Sequence, residues 1–193
     1  MKLLEEALNC PKCIVSVMGD HAGEGVVEIF KRKKSDIERL GITFWLMRSP
    51  KARPPQVQEL SKTMAPTYTI FVVPATKGGS RPTTQEDAAS EFSGDGKIWQ
   101  SFPYGLGPVT GKLDNSATAL VFDIMSTDVR GVLDLWDYAD AKDINNPLKF
   151  ILGCSTVCAV RKDTKSHPRK MKSRYREIVS VARLAKPYCV WVR

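Results

Sequence analysis

A chain of 193 residues, 42% of them apolar and 26% charged, is long enough to bury a core without disulfides or a structural metal. No window approaches the roughly 18 consecutive apolar residues of a membrane-spanning helix. The composition therefore predicts an ordinary globular protein and no membrane partner.

Positive charge is concentrated towards the end of the sequence. Residues 161–193 hold eleven lysine and arginine residues against Asp163 and Glu177, a net charge of +9, whereas residues 1–160 hold 18 basic and 19 acidic residues. A block of charge attracts polyanions, while an evenly spread surplus mainly affects solubility. This division predicts a nearly neutral α/β core domain over residues 1–160 and a basic helix and strand over residues 161–193, packed on the same domain.

The first hundred residues predict strands that alternate with helices. An apolar run predicts a buried strand at residues 14–18, and apolar residues at helical spacing then predict a helix that ends before Gly41, since a left-handed residue suits a helix terminus. By the same criteria, further strands are predicted at residues 42–47 and 68–73, and helices at residues 54–64 and 83–92. Strands joined by helices favour parallel pairing.

The second half has a different pattern. A loop rich in glycine and proline at residues 93–111 leads to three apolar runs that predict strands, at residues 119–125, 132–138 and 150–160. The turn-rich link at residues 126–131 favours antiparallel pairing of the first two. The predicted fold class is therefore α/β, or α+β: a single domain with a mixed, partly parallel sheet flanked by helices and closed by a carboxyl-terminal basic helix and strand.

The carboxyl-terminal helix is predicted between Pro168 and Pro187, because proline suits the first turn of a helix and also ends one. Apolar residues recur between them at spacings of four and three, and basic residues form a second stripe beside them. A closing strand is predicted at residues 188–192. The apolar stripe consists of Met171, Tyr175, Ile178, Ala182 and Ala185, and the basic stripe of Arg169, Lys172, Arg176 and Arg183.

Residues 161–176, called the basic segment below, hold eight lysine and arginine residues and one aspartate. Clustered cations bind phosphate backbones through counterion release whatever the base sequence, and Tyr175 or Trp191 could add base stacking if exposed. The leading hypothesis is thus binding of DNA or RNA, with an acidic protein partner or a merely solvated surface as alternatives. The predicted phosphate-binding residues are Arg161, Lys162, Lys165, Arg169, Lys172 and Arg176.

A glycine-rich loop at residues 19–25 suggests a different function. It follows a predicted strand and begins a predicted helix, where backbone amides can hold a phosphate or carboxylate. Because it matches neither the dinucleotide-binding nor the P-loop pattern, it also fits an ordinary surface turn. The alternative function is an enzyme acting on a nucleotide or phosphorylated small molecule, with Asp20 or His21 as the acid-base group and Gly19, Gly23 and Gly25 near the ligand.

A third pattern consists of Asp123, Asp140 and Lys142. An aspartate followed by Asp-x-Lys resembles the outline used by a large class of magnesium-dependent nucleases, in which two carboxylates hold the metal and lysine orients the attacking water. Such a nuclease would combine the basic segment with catalysis, with a divalent ion such as Mg²⁺ as its cofactor. The alternative is that these side chains are ordinary acids at strand ends and turns.

Five cysteines and no signal-peptide pattern predict reduced thiols in the cytoplasm. Cys10 and Cys13 form a Cys-Pro-Lys-Cys pair that suits half of a zinc site or a redox pair, whereas the other three cysteines, Cys154, Cys158 and Cys189, are interpreted as buried structural thiols. The four tryptophans are interpreted as core residues in preference to the walls of a base-binding pocket.

Overall fold

A mixed β-sheet with helices on both faces organises the part of the chain described by the computed structural model, which comprises residues 2–19, 25–47, 67–73, 117–127, 129–152, 156–162 and 175–192. The helices are α1 (Lys2–Asn9), α2 (Val26–Leu40) and α3 (Leu148–Ile151). The strands are β1 (Lys12–Val17), β2 (Thr43–Met47), β3 (Tyr68–Val72), β4 (Ala117–Ser126), β5 (Gly131–Asp134), β6 (Tyr138–Asp140), β7 (Asp143–Pro147), β8 (Thr156–Arg161) and β9 (Tyr175–Val192).

The strands lie in the order β2-β4-β9-β3-β1-β8-β6-β7, and β5 pairs with β9 beside this series. Only β1 and β3 pair in parallel within the described residues; the other pairs are antiparallel. The predicted mixed, partly parallel sheet is therefore confirmed, although strands make up more of the fold than the predicted alternation implies. Predicted helices at residues 54–64 and 83–92, and the predicted loop at 93–111, lie outside the described residues.

Helix α2 confirms the prediction made from its apolar spacing. It ends at Gly41, which has a φ of 80° and whose amide donates to the carbonyl of Ile37 at 2.8 Å. A left-handed glycine closes a helix in this way because it has no Cβ to clash. The buried face of α2 places Phe30 against Trp45 and Phe71, with ring centroids 5.7 and 4.9 Å apart. Trp45 is thus a core residue, as interpreted from the sequence.

Two apolar cores lie on opposite faces of the sheet. Helix α2 covers the first with Ile29 and Phe30, which pack over the central strands. Helices α1 and α3 cover the second, in which Ala7 and Leu148 are fully buried. Each fully buried large apolar side chain contributes about 1.5–3 kcal/mol. The sheet is therefore held from both sides, and the side carrying α1 and α3 is called the α1 face below.

The carboxyl-terminal helix predicted between Pro168 and Pro187 is wrong from residue 175 onwards, because Tyr175–Val192 forms strand β9; residues 168–174 lie outside the described residues. This strand lies inside the sheet, between β3 on one edge and β4 and β5 on the other. Its consecutive residues Val181 and Ala182 enter opposite cores, so both faces of the strand must be apolar. A segment that is apolar on both sides also contains apolar residues at helical spacing, which is why a helix was predicted. Its β-branched residues favour a strand.

The predicted antiparallel pairing of the runs at 119–125 and 132–138 is a second error, because β4 and β5 each pair with β9. Ser126 pairs with Val181 and Gly131 with Ile178, so both strands run antiparallel to β9 along the same edge. The predicted strand at residues 132–138 is also divided into β5 and β6 by a turn, and the predicted strand at 150–160 begins only at Thr156, after helix α3. β4 and β5 therefore run in the same direction along one edge of β9, and they do not form the hairpin that the turn-forming residues at 126–131 suggest.

Candidate functional site

The amino-terminal part of the basic segment lies at the end of β8. Val160 pairs with Lys12 at the start of β1, and the next amide, that of Arg161, donates to the carbonyl of Pro11 at 2.6 Å. The guanidinium of Arg161 is exposed and donates to the carbonyl of Leu8 at the end of α1, at 2.9 Å. Arg161 therefore lies on the α1 face, at the end of the sheet where β1 begins.

The carboxyl-terminal part of the basic segment lies at the opposite end of the sheet. Ile178 of β9 pairs with Val72, the last residue of β3, and the amide of Val73 donates to the carbonyl of Glu177 at 3.0 Å. Arg176 pairs with Leu133, a member of the core on the α1 face. Residues paired across antiparallel strands point to the same side, so Arg176 shares this face with Arg161.

These two fixed positions are well separated. Both positions can be measured along β1. Val160 pairs directly with Lys12 of β1, and Ile178 pairs with Val72, which in turn pairs with Val17 of β1. Five residues of strand span roughly 17 Å, and the two arginines lie further out still. A single phosphate cannot contact both arginines, whereas an elongated polyanion can.

Three residues of the predicted phosphate-binding set, Lys165, Arg169 and Lys172, lie outside the described residues. Arg183, from the predicted basic stripe, is described and is paired with a carboxylate. Arg183 donates from Nε and Nη2 to the two carboxylate oxygens of Asp123, at 3.0 and 2.8 Å. This hydrogen-bonded pair raises the pKa of Arg183. Arg183 therefore joins β4 to β9, and its guanidinium is held by a carboxylate.

The acidic pattern is not brought together by the fold. Asp123 lies on β4 and Asp140 on β6, five strand positions apart, which corresponds to roughly 24 Å. Asp140 accepts the amide of Lys142 at 3.0 Å and so stabilises the turn between β6 and β7. No three His, Cys, Asp or Glu side chains in the described ranges lie close enough to hold a metal ion. Asp123 and Asp140 therefore cannot share a magnesium ion in this arrangement.

The glycine-rich loop is described only at its two ends. Gly19 follows β1, and Gly25 precedes α2, where its carbonyl accepts the amide of Ile29 at 3.1 Å. Asp20, His21 and Gly23 lie outside the described residues. Since β1 and β3 are parallel, their carboxyl ends meet at one end of the sheet, which is the end where β9 begins. Gly19 thus lies at the same end of the sheet as Arg176.

The described thiols are poor nucleophiles. Burial, together with the charges of Cys10 and Cys158, raises the pKa of Cys13. Burial also raises the pKa of Cys158 to about 12, with a further contribution from Asp140. Burial also raises the pKa of Cys10, followed by the charge of Glu6. A protonated thiol is a weak nucleophile, so these cysteines fit a structural role better than a redox pair.

An aromatic cluster that the sequence analysis did not single out lies near Arg161. Trp136, in the turn between β5 and β6, contacts Phe150 of α3 edge to face, with ring centroids 5.6 Å apart and an interplanar angle of 83°. Lys149 places its Nζ 6.0 Å from the centre of the Trp136 ring. The exposed fraction of Phe150 is 65%, which is unusual for a phenylalanine. Trp136, Lys149 and Phe150 are called the aromatic corner below.

The aromatic corner adjoins the start of the basic segment. The amide of Lys162 donates to the carbonyl of Asp137, the neighbour of Trp136, at 2.7 Å. Arg161 pairs with Tyr138 one residue further along. These contacts join positions far apart in sequence, so no local pattern could have indicated them.

Comparisons with known proteins supply no function. No protein-family model, no curated protein and no solved structure matches this chain. Among the described helices, none is long and apolar enough to cross a lipid bilayer.

Proposed function

We propose that this protein binds nucleic acid through phosphate contacts made by the basic segment. The observation that carries the proposal is the charge division, a net of +9 over residues 161–193 against −1 over residues 1–160. Counterion release rewards such a cluster because each neutralised phosphate frees condensed cations. The chain enters and leaves the segment through strands β8 and β9, so its two ends have fixed positions on the sheet.

The spacing of Arg161 and Arg176 supports a long polyanion over a small phosphorylated ligand. Both lie on the α1 face, at opposite ends of the sheet, at least roughly 17 Å apart. A nucleic-acid chain presents phosphates continuously over such a distance. Tyr175, the first residue of β9, has an exposed fraction of 57% but alternates with Arg176, so it lies on the opposite face of the sheet from the two arginines.

The test compares two variants that carry the same change of charge. In the first, Arg169→Glu and Lys172→Glu reverse two cations of the basic segment. In the second, Lys31→Glu and Lys34→Glu reverse two exposed cations of α2, on the other face of the sheet. Fluorescence anisotropy with labelled single-stranded RNA, single-stranded DNA and duplex DNA measures affinity at low salt.

We expect the first variant to lose about tenfold or more in affinity and the second to lose much less, because phosphate contacts are local to the segment. Equal losses would mean that only the net charge matters. No measurable binding of wild-type protein to any of the three probes would refute the proposal. Persistence of a captured protein partner after nuclease treatment would favour the acidic protein partner instead.

A second candidate is an enzyme acting on a nucleotide or phosphorylated small molecule at the glycine-rich loop. It is favoured by one observation: β1 and β3 are the parallel pair among the described strands, and α2 begins at Val26, the next helix after β1. Ligands of α/β proteins often bind where parallel strands end and a helix begins. Thermal-shift measurements with nucleotides, with and without Mg²⁺, test it. Stabilisation of the wild type that is lost in His21→Ala or Gly23→Val would support an enzyme, and its absence would remove this candidate.

A further inference from the structure

We infer that the aromatic corner stacks on unpaired bases, so that single-stranded nucleic acid is the preferred ligand. This inference rests on the proposed function, because the basic segment would supply the phosphate contacts. Phe150 is the most exposed large apolar side chain described, at 65%. An exposed aromatic ring beside cations is the combination by which proteins hold single strands, since every base has a face on which to stack.

The geometry fixes the ring of Phe150 from behind. Its neighbour Trp136 stands perpendicular to it at 5.6 Å, and the Trp136 amide donates to the carboxylate of Asp134 at 3.0 Å. Leu148 and Leu152, on either side along α3, are buried in the core of the α1 face. The ring is therefore positioned by a packed support, which reduces the entropy lost when a base stacks on it.

Charge around the corner favours a nucleic acid over an apolar protein partner. Arg161 and Lys162 join the turn that carries Trp136, through pairing with Tyr138 and the 2.7 Å hydrogen bond to Asp137. Lys149 adds a third cation, 6.0 Å from the Trp136 ring, and these cations outnumber the carboxylates of Asp134 and Asp137 in the same turn. An apolar protein surface would have to desolvate these cations, whereas phosphates pair with them.

Duplex nucleic acid would gain little from this corner. Its bases are stacked on one another and offer no free face, so contact with Phe150 would require unstacking at a cost of a few kcal/mol. Double-stranded probes should therefore report the phosphate contacts alone. Single-stranded probes should report phosphate contacts and stacking together.

The test uses the full chain and three probes of equal length: a single-stranded oligodeoxynucleotide, the same backbone without bases, and a duplex. Phe150→Leu keeps an apolar side chain but removes the ring, and Phe150→Tyr keeps the ring. Val27→Ala, which changes another exposed apolar residue on α2, is the matched control. Because Phe150 is mostly exposed, neither of its substitutions should prevent folding, which circular dichroism checks.

We expect Phe150→Leu to lose roughly 5- to 150-fold in affinity for the single strand, the loss that corresponds to one stacked base. Its affinity for the baseless backbone and the duplex should not change, and Phe150→Tyr and Val27→Ala should bind like wild type. Unchanged single-strand binding in Phe150→Leu would overturn the inference, as would an equal loss for all three probes. If wild-type protein fails to bind even the baseless backbone and the duplex, the proposed phosphate binding fails as well, so the two failures are distinguishable.

Discussion

Lys33 offers the most direct test of how α2 is fastened to the sheet. Its exposed fraction is 1%, and its ammonium donates to the carbonyl of Phe44 on β2 at 2.6 Å. Asp36, exposed by 4%, accepts a hydrogen bond from Thr43 at 3.3 Å beside it. Burial raises the pKa of Asp36, and the charge of Lys33 acts in the opposite direction.

Substitution of Lys33 by methionine preserves the length of the side chain and removes its charge. A hydrogen bond to a charged group contributes about 1.5–3 kcal/mol, and the carbonyl of Phe44 loses this donor in the variant. Asp36 keeps a cation, because Arg39 Nη2 lies 3.5 Å from its carboxylate, and the loss of the unfavourable burial of the ammonium offsets part of the cost. We expect the free energy of unfolding to fall by about 2 kcal/mol and the pKa of Asp36 to rise further.

Urea unfolding measures this change as a lower midpoint with an unaltered slope. Lys34→Met is the matched control, because the neighbouring Lys34 is half exposed and only 3.9 Å from Glu38 in a surface ion pair. The control should change stability by less than about 0.5 kcal/mol. A loss below about 1 kcal/mol in Lys33→Met, or an equal loss in both variants, would refute the role assigned to Lys33.

Two further predictions concern pH and the acidic pattern. Burial raises the pKa of Cys158 to about 12, and burial with a hydrogen bond to Glu6 raises that of Tyr68 to about 12. The unfolded chain therefore loses these protons at lower pH than the folded chain does. The free energy of unfolding should be constant below about pH 9 and should fall between about pH 9 and 12, by up to about 1.4 kcal/mol per pH unit for each group. Urea unfolding at several alkaline pH values should show a shallower fall in Cys158→Ala, and identical slopes would contradict the assignment. Asp123→Asn should weaken the pair with Arg183 by about 1 kcal/mol or less, since both side chains are about one-third exposed, and leave nucleic-acid affinity within about twofold in anisotropy measurements. A large loss of affinity would return Asp123 to the site.

Local pattern predicted the elements whose neighbours along the chain decide their structure. The helix before Gly41 needed only its apolar spacing and a left-handed terminus, and both are visible in the sequence. β1 and β3 were indicated because strands buried on both faces read as continuous apolar runs. The prediction of a mixed sheet followed from these runs together with the antiparallel signals beyond residue 111.

Contacts distant in sequence account for what the sequence could not indicate. Residues 175–187 satisfy a helical spacing and a strand equally well, and only the pairing of β9 with β3, β4 and β5 decides between them. In the same way, Trp136 and Phe150 lie in different elements, and nothing local places them beside Arg161. The charge of the basic segment was visible in the sequence, whereas the positions of its two ends on the sheet depend on the register of four strands.

The salt dependence of single-strand affinity tests the central claim most directly. If the six cations named for the basic segment each neutralise one phosphate, the logarithm of the association constant should fall against the logarithm of salt concentration with a slope of about −4. Affinity would then drop roughly 300-fold between about 50 and 200 mM salt. A slope shallower than about −1 would contradict phosphate binding by Arg161, Lys162, Lys165, Arg169, Lys172 and Arg176.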